Sequence, residues 1–351
     1  MTTLWDTTGT EVVKALSKAR NSGGSMTSGL ALTFVVAADE KDVAAAEQAA
    51  SSAAAMHPCR LVVVVRREPL ATTPRLDAEV TIGGRLGPGE AIELRMYGRL
   101  SLHAESVVLP LLASDAPVVT WWQGVAPEQL GTDGLGVFAD RRVTDAGAAP
   151  DPITALQQRA RDYAPGDTDL AWTRITRWRS ILATAVDAAG GAGRDVTVVG
   201  AEVYGADHSP SAALLAGWLS SRLGAEVSIT SPGSGSVPDG MGVAGVRLDL
   251  AQLPAIRVDH RDGTGVVSQE GRPDSSATLV ARETGELLGE ELRRLDVDDL
   301  YSAALAAATH SPELGGRSPT RSLIWRDPAD ATVEAKRADS DSTVRTGEHA
   351  S

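Results

Sequence analysis

Residues 93–124 join a strand pattern, a helix pattern and a second strand pattern in one uninterrupted run. The first residues alternate between polar and apolar side chains as a strand does, and helical spacing then runs from Leu102 to Leu112. Pro117 ends the helix before the apolar run VVTWW at 118–122. A strand, a helix and a strand in this order predict a βαβ unit, which commonly builds a largely parallel sheet with helices on its faces.

The same alternation of strand and helix patterns continues on both sides of this unit. Strands are predicted at 30–38, 61–65, 76–82, 91–97, 195–200 and 226–230, followed by a meander of short antiparallel strands between 246 and 281. Helices are predicted at 6–20, 39–56, 152–163, 170–189, 209–223, 284–295 and 298–309. The fold class is therefore predicted as α/β, with two tandem α/β units whose mixed, mainly parallel sheets are flanked by helices.

A stretch without periodicity separates the two units. Residues 131–150 are rich in Gly, Asp and Ala and are predicted as a linker between an N-terminal α/β domain at 1–130 and a C-terminal α/β domain at 151–310. From 311 to 351, Ser, Thr, Pro, Asp and Arg dominate, so we expect a disordered C-terminal tail.

Composition and charge exclude several classes of function. No apolar run approaches the roughly 20 residues that cross a bilayer, and the first residues lack the pattern of a secretory signal, so a cytoplasmic location is expected. The net charge of -13 repels phosphate backbones, which argues against nucleic acid as a partner. Cys59 is the single cysteine, so an internal disulfide is excluded.

No catalytic motif in the sequence fits the structural context that its chemistry needs. The glycines at 84, 87 and 89 join two predicted strands and do not open a helix, as a dinucleotide-binding loop would. His103 and Glu105 have the H-x-E spacing of zinc deaminases, but Pro58-Cys59 precedes them and a second cysteine is missing. We therefore expect no catalytic residues, no metal and no cofactor.

Tryptophan and arginine residues cluster on one predicted helix of this acidic chain. Trp172, Arg174, Arg177 and Trp178 would suit a docking face, because Arg offers planar bidentate contacts and Trp a rigid anchor. An amphipathic helix with its Trp side chains in the core explains the same pattern. Trp121 and Trp122 are adjacent on a strand and must point to opposite faces of the sheet.

Several ordered motifs make the chain resemble the OpcA family, the glucose-6-phosphate dehydrogenase assembly proteins, in its actinobacterial form. The motifs are HPCR at 57–60, RLDAE at 75–79, LRMYG at 94–98, ESVVLPLL at 105–112, DAPVV at 115–119, WW at 121–122, DRR at 140–142, PGDTDLAW at 165–172 and LLAGW at 214–218. Each is modest alone, but together they extend from about Thr7 to about His310.

The resemblance implies a non-catalytic assembly factor or allosteric effector. Its partner would be glucose-6-phosphate dehydrogenase of the oxidative pentose phosphate pathway, whose active oligomer it would promote. The expected partner-binding residues are Trp121, Trp122, Trp172, Arg174, Arg177 and Trp178. Cyanobacterial relatives are associated with redox control through cysteines, which is not expected here because Cys59 is alone.

An alternative from a different class is a sensor or enzyme that binds a sugar phosphate or nucleotide at a sheet crevice. Its pocket would be lined by Asp140, Arg141, Arg142 and Asp167. A third interpretation is a scaffold recruited through the apolar LIW at 323–325 in the tail. The sequence leaves self-association open.

Overall fold

The computed structural model describes residues 1–22, 30–68, 71–83, 89–191, 196–232 and 240–318. The Gly-rich loop predicted at 83–89 falls mainly in 84–88, and the LIW segment falls in 319–351, so both predictions lie outside the described residues. None of the described helices has the length and apolar character needed to span a bilayer.

The first sheet is eight-stranded and mainly parallel. Its strands are β1 (Thr2–Leu4), β2 (Leu32–Asp39), β3 (Cys59–Arg67), β4 (Arg75–Ile82), β5 (Glu90–Tyr97), β6 (Val118–Trp122), β7 (Arg141–Thr144) and β8 (Asp167–Asp169). They lie in the order β1-β4-β5-β3-β2-β6-β7-β8. The strand β4 is antiparallel to β1 and β5, and the other neighbours are parallel. The continuous apolar sequences of β2 and β3 arise because both faces of these central strands are buried.

The helices agree with most of the predicted positions. They are α1 (Gly9–Ser22), α2 (Val43–Met56), α3 (Glu105–Val108), α4 (Pro152–Asp162), α5 (Leu170–Arg174), α6 (Thr176–Gly190), α7 (Pro210–Leu223), α8 (Thr284–Arg293) and α9 (Asp299–Ala308). Side chains of Asp151, Ser209 and Asp298 accept hydrogen bonds from backbone N–H groups at the starts of α4, α7 and α9. These caps satisfy donors that a helix cannot satisfy itself, so the starts of these helices are encoded locally.

The connection between β5 and β6 is less regular than its sequence predicts. The single helix expected from Leu102 to Leu112 is reduced to α3, with short helical turns at Gly98–Leu102 and Leu109–Leu111. Pro110 lies in the second turn and has no N–H to donate to a longer helix. The strands on either side are confirmed, and both lie in the first sheet.

Helices cover both faces of the first sheet. On one face, Leu287 and Leu288 of α8 and the alanines of α2 pack with Trp121 and with the side chains of β2 and β3 that point to that side. On the other face, Val12 of α1 shares a core with Trp122. Adjacent residues of β6 thus point to opposite faces, as predicted.

The second sheet is six-stranded and mainly antiparallel. Its strands are β9 (Val198–Gly205), β10 (Glu226–Thr230), β11 (Val243–Leu250), β12 (Ile256–Arg261), β13 (Thr264–Gln269) and β14 (Ser275–Thr278), in the order β10-β9-β11-β12-β13-β14. Only β10 and β9 pair in parallel among these described strands. The predicted antiparallel meander is therefore confirmed, and α6 and α7 pack against this sheet.

The two sheets do not divide the chain at the predicted linker. The strand β7 lies within 131–150, and β8 follows it as the last strand of the first sheet. The helix α8 also returns from the second half to pack on α2. Residues on both sides of 131–150 therefore build the first sheet and its covering layer, while separate folding of the two halves stays a prediction.

The ordered chain continues past His310 into the predicted tail. Leu314 is fully buried, and Arg317 Nη1 donates to the carbonyl oxygen of Arg161 at 2.9 Å. Residues 311–318 therefore pack on the body of the protein.

Candidate functional site

The order of the parallel strands creates a position for a ligand crevice. The chain moves outward from β2 through β3 to β5, then returns to place β6 beside β2 and moves outward again through β7 and β8. Ligands of such open sheets bind outside the carboxyl ends of the strands, at the point where the order reverses. That point lies here between Asp39, the last residue of β2, and Trp122, the last residue of β6.

The turn after β2 is unsuited to phosphate. In dinucleotide-binding sheets this turn is rich in glycine, so that the backbone can approach a pyrophosphate. Here the turn reads Asp39-Glu40-Lys41-Asp42 and leads directly into α2. Three carboxylates in place of glycines would repel the charge of a nucleotide.

A cavity of about 360 Å³ opens at the carboxyl ends of β6, β7 and β8. Its described lining residues are Gly124, Val125, Ala126 and Glu128 after β6, Thr144 to Ala146 and Ala149 to Asp151 after β7, Thr154, Ala155, Gln158 and Arg159 of α4, and Asp169 of β8. Most of the wall is apolar, and Val125 is 71% exposed. The cavity is therefore an apolar depression with polar groups at defined places.

Asp169 is the most buried polar group of this cavity. Its carboxylate accepts hydrogen bonds from Thr144 Oγ1 at 2.6 Å and from the backbone N–H groups of Ala146 and Ala171, both at 2.9 Å. Burial raises the pKa of Asp169, and the nearby charge of Asp145 adds to the effect. Both oxygens of Asp169 thus accept hydrogen bonds, and these bonds connect the carboxyl ends of β7 and β8 to the start of α5.

Two arginines hold the loops around the cavity. Arg174 donates from Nη1 and Nη2 to the two carboxylate oxygens of Asp145, at 2.7 and 2.5 Å. Arg159 donates from Nη2 to the carbonyl oxygens of Pro127 and Glu128, at 2.7 and 2.9 Å. Nη1 of Arg159 is buried and has no hydrogen-bond partner among the described residues.

The tryptophans predicted as docking anchors lie in the core. Trp121, Trp122, Trp172 and Trp178 are each 1% exposed or less and are among the largest fully buried side chains. Helices cover both faces of β6, and the Trp side chains of α5 and α6 lie in the core that α7 and α9 form with the second sheet. A docking face on the free chain cannot include these four rings, so this expectation is corrected.

The two arginines predicted with them are half-buried. Arg174 is engaged by Asp145 beside the cavity, and Arg177 has a buried Nη1 without a hydrogen-bond partner among the described residues. The neighbouring Arg179 stacks its guanidinium over the Trp172 ring, 3.5 Å from its centroid. These arginines pack with the core and leave no continuous Trp-Arg face.

The residues of the alternative ligand pocket are also engaged internally. Arg141 and Arg142 are 2% and 1% exposed, and they form ion pairs with Glu291 and Asp167. The exposed Asp140 accepts a hydrogen bond from the backbone N–H of Val118 at 2.8 Å. These four residues stabilise the fold and do not line the cavity.

The remaining candidates fit structural roles. Cys59 is 2% exposed, and burial raises the pKa of its thiol to about 12. Within the described ranges, His, Cys, Asp and Glu side chains form no group of three or more that could hold a metal ion. Nδ1 of His103 and Oε1 of Glu105 lie 3.5 Å apart, and this pair belongs to no such group.

The cavity has no signal of its own in the sequence. Val125, Glu128 and Ala155 lie on a loop and a helix with no periodic or motif signal that connects them. Their positions after β6 and on the helix after β7 are a signal only once the strand order is known.

In comparisons with known proteins, two protein-family models match consecutive parts of the chain, and both are described as domains of a glucose-6-phosphate dehydrogenase subunit. Residues 50–161 match the model of its N-terminal domain, and residues 165–305 match the model of its C-terminal domain. The two matches meet at 161–165, C-terminal to the linker expected at 131–150. No curated protein gives a significant match.

Among solved structures, the chain is similar to KijD10, a 3-ketoreductase from Actinomadura kijaniata in complex with TDP-benzene and NADP. The TM-score is 0.38 with 10% sequence identity, over 84% of this chain and 100% of that chain. A similarity of this size does not bear on function.

Proposed function

Because the chain belongs to the family of glucose-6-phosphate dehydrogenase assembly proteins, we propose that it is a non-catalytic factor that binds this dehydrogenase and promotes its active oligomer. The observation that carries the proposal is the ordered match of both family models over residues 50–305. The partner is the entry enzyme of the oxidative pentose phosphate pathway.

The polar groups at the carboxyl edge of the first sheet support a non-catalytic role. Asp145 and Asp169 line the cavity, but Asp145 is paired with Arg174, and Asp169 accepts hydrogen bonds from Thr144 and from two backbone N–H groups. Both carboxylates are therefore already engaged and hold the loops around the cavity in place. The carboxylates of the turn after β2 stand where a nucleotide-binding sheet would hold a phosphate.

An assembly factor acts by binding one state of its target more tightly than another. The difference between the two binding free energies limits how far the oligomer equilibrium can move. A tenfold preference for the active oligomer corresponds to about 1.4 kcal/mol, which is enough to change the active fraction of a marginal assembly.

The proposal is tested by measuring the rate and the mass of the dehydrogenase from the same organism, with and without this protein. We expect the factor to co-elute with the enzyme, to increase its oligomeric mass beyond the added mass of the factor and to raise its rate. A folded factor that leaves both the mass and the rate of the enzyme unchanged would contradict the proposal.

The position of the cavity favours a second candidate, a sensor for a sugar phosphate or nucleotide. A ligand that binds the folded state alone must raise the melting temperature. Glucose 6-phosphate and NADP⁺ are therefore the compounds to compare in a thermal-shift measurement, and we expect neither to stabilise the chain because carboxylates surround the cavity.

A further inference from the structure

The cavity at the carboxyl ends of β6, β7 and β8 has an apolar lining that suits an anchoring side chain of a partner protein. Ala126, Ala146, Ala149, Pro150 and Ala155 line it, and beside them the side chain of Val125 is 71% exposed. An exposed branched apolar side chain next to an apolar depression is a surface that a partner side chain can cover. Water would leave both surfaces when such a side chain enters.

The charges around the cavity select the chemistry of the occupant. Four carboxylate residues line it, and Arg159 is the single cationic residue among the described lining residues. Asp145 is paired with Arg174 and Asp169 accepts internal hydrogen bonds, so Glu128 and Asp151 are the carboxylates left to meet a partner. Glu128 and Asp151 are exposed, whereas Arg159 is 8% exposed and already donates to backbone carbonyls. This distribution repels phosphate and attracts Lys or Arg side chains.

The walls of the cavity are held in place before any partner arrives. The side chain of Asp151 caps α4 through the backbone N–H of Thr154 at 3.1 Å. Gln158 Nε2 joins Arg159 in donating to the carbonyl oxygen of Glu128, at 2.9 Å. A preformed depression binds a side chain without first losing the entropy of ordering its own loops.

We propose that this cavity receives an apolar side chain of glucose-6-phosphate dehydrogenase from a segment that carries basic residues on either side of the anchor. The apolar side chain contacts Val125 and Ala155, and the flanking Lys or Arg side chains face Glu128 and Asp151. The choice of the dehydrogenase as partner rests on the proposed function. The cavity indicates where the partner binds and which kinds of side chain it presents.

The test measures the dissociation constant for the intact dehydrogenase with two pocket variants. Ala155→Phe fills the cavity, and Glu128→Lys reverses a charge at its rim. We expect each to weaken binding about 10-fold or more, and the unmodified complex to weaken as salt concentration rises. Matched controls are Ala277→Phe on the exposed strand β14 and Glu270→Lys in an exposed turn, which should bind as the unmodified chain does.

The outcomes separate the inference from the proposed function. If the unmodified chain fails to bind the dehydrogenase, the proposed function fails. If it binds and both pocket variants bind as tightly as the unmodified chain, the docking inference alone is overturned.

If Ala155→Phe lowers the melting temperature of the free chain, Val125→Ser is used in its place, because this change removes an exposed apolar contact and adds no bulk. Stabilisation by glucose 6-phosphate or NADP⁺ that Val125→Ser abolishes would assign the cavity to a metabolite and overturn the inference.

Discussion

Arg141 of β7 and Glu291 of α8, which are 150 positions apart in the sequence, form a buried ion pair. Nε and Nη2 of Arg141 donate to Oε2 of Glu291 at 3.0 and 2.5 Å, while Oε1 accepts from Thr173 Oγ1 at 2.6 Å. Nη1 of Arg141 donates to the carbonyl oxygen of Asp296 at 2.8 Å. This pair therefore links α8, in the second half of the chain, to β7 of the first sheet.

The Glu291→Ala substitution is expected to destabilise the protein strongly. It leaves the Arg141 guanidinium buried without its counter-charge, and breaking one side of a buried pair costs about 3–5 kcal/mol. The free energy of unfolding in urea measures the loss. Glu313→Ala is the control, because Glu313 is exposed, and a loss for Glu291→Ala as small as that of the control would contradict a role for the pair.

The buried tryptophans provide a matched comparison of two Trp→Phe changes. Trp172 Nε1 donates to Asp298 Oδ2 at 2.8 Å, whereas Trp178 Nε1 has no hydrogen-bond partner among the described residues. Both variants lose ring volume, but only Trp172→Phe also loses a hydrogen bond to a charged acceptor. We expect it to cost about 1–3 kcal/mol more than Trp178→Phe in the free energy of unfolding. Because Arg179 also stacks over the Trp172 ring, equal costs would show that neither this stacking nor the Asp298 hydrogen bond contributes measurably.

Stability is expected to fall as the pH rises toward neutrality because of Glu93. The pKa of Glu93 is raised from 4.5 to about 7. Burial is the largest cause, the charge of Glu47 is the second, and the charge of Glu79 acts in the same direction. The folded chain therefore holds this proton more tightly than the unfolded chain. The stabilisation that the bound proton gives the folded state is complete below about pH 4.5 and is lost as the pH rises through about 7.

The Glu93→Gln substitution should remove this pH dependence, because an amide stays neutral throughout. The difference in unfolding free energy between pH 5 and pH 8 should shrink by up to about 3 kcal/mol. The exposed Glu270→Gln serves as the control and should keep the unmodified profile. An unchanged profile for Glu93→Gln would mean that Arg95, 2.5 Å from Oε1 of Glu93, compensates the buried charge completely.

Cys59 is expected to resist thiol reagents in the folded protein. Burial raises the pKa of the thiol to about 12, so the reactive thiolate is scarce at pH 8, and the side chain is 2% exposed. An aromatic disulfide reagent should react slowly with the native chain and rapidly after unfolding in guanidinium chloride. Rapid reaction of the native chain would reveal frequent opening of β3.

Much of the architecture follows from local sequence. The continuous apolar runs of β2 and β3 indicate central strands, and the Ser209-Pro210 pair marks the start of α7 by supplying a cap and a fixed backbone angle. The connection between β5 and β6 was less predictable, because helical spacing persists there while Pro110 interrupts the backbone hydrogen bonds.

Side-chain roles could not be read in the same way. Trp172, Arg174 and Trp178 have one spacing that suits both an interaction face and a core-facing helix, and helical periodicity does not say which side is covered. Arg141 and Arg142 suggested a ligand pocket, although their partners Glu291 and Asp167 come from other elements. A charged residue's function depends on the group it meets, and that group can lie far along the chain.

The elements and the family can be read from the chain alone, because apolar periodicity, caps and ordered motifs are local properties of the sequence. The strand order, the return of α8 to the first sheet and the cavity beside Val125 arise from contacts between distant segments. Those contacts follow from how apolar faces are buried together, which depends on the packing of the whole chain and on no single stretch of it.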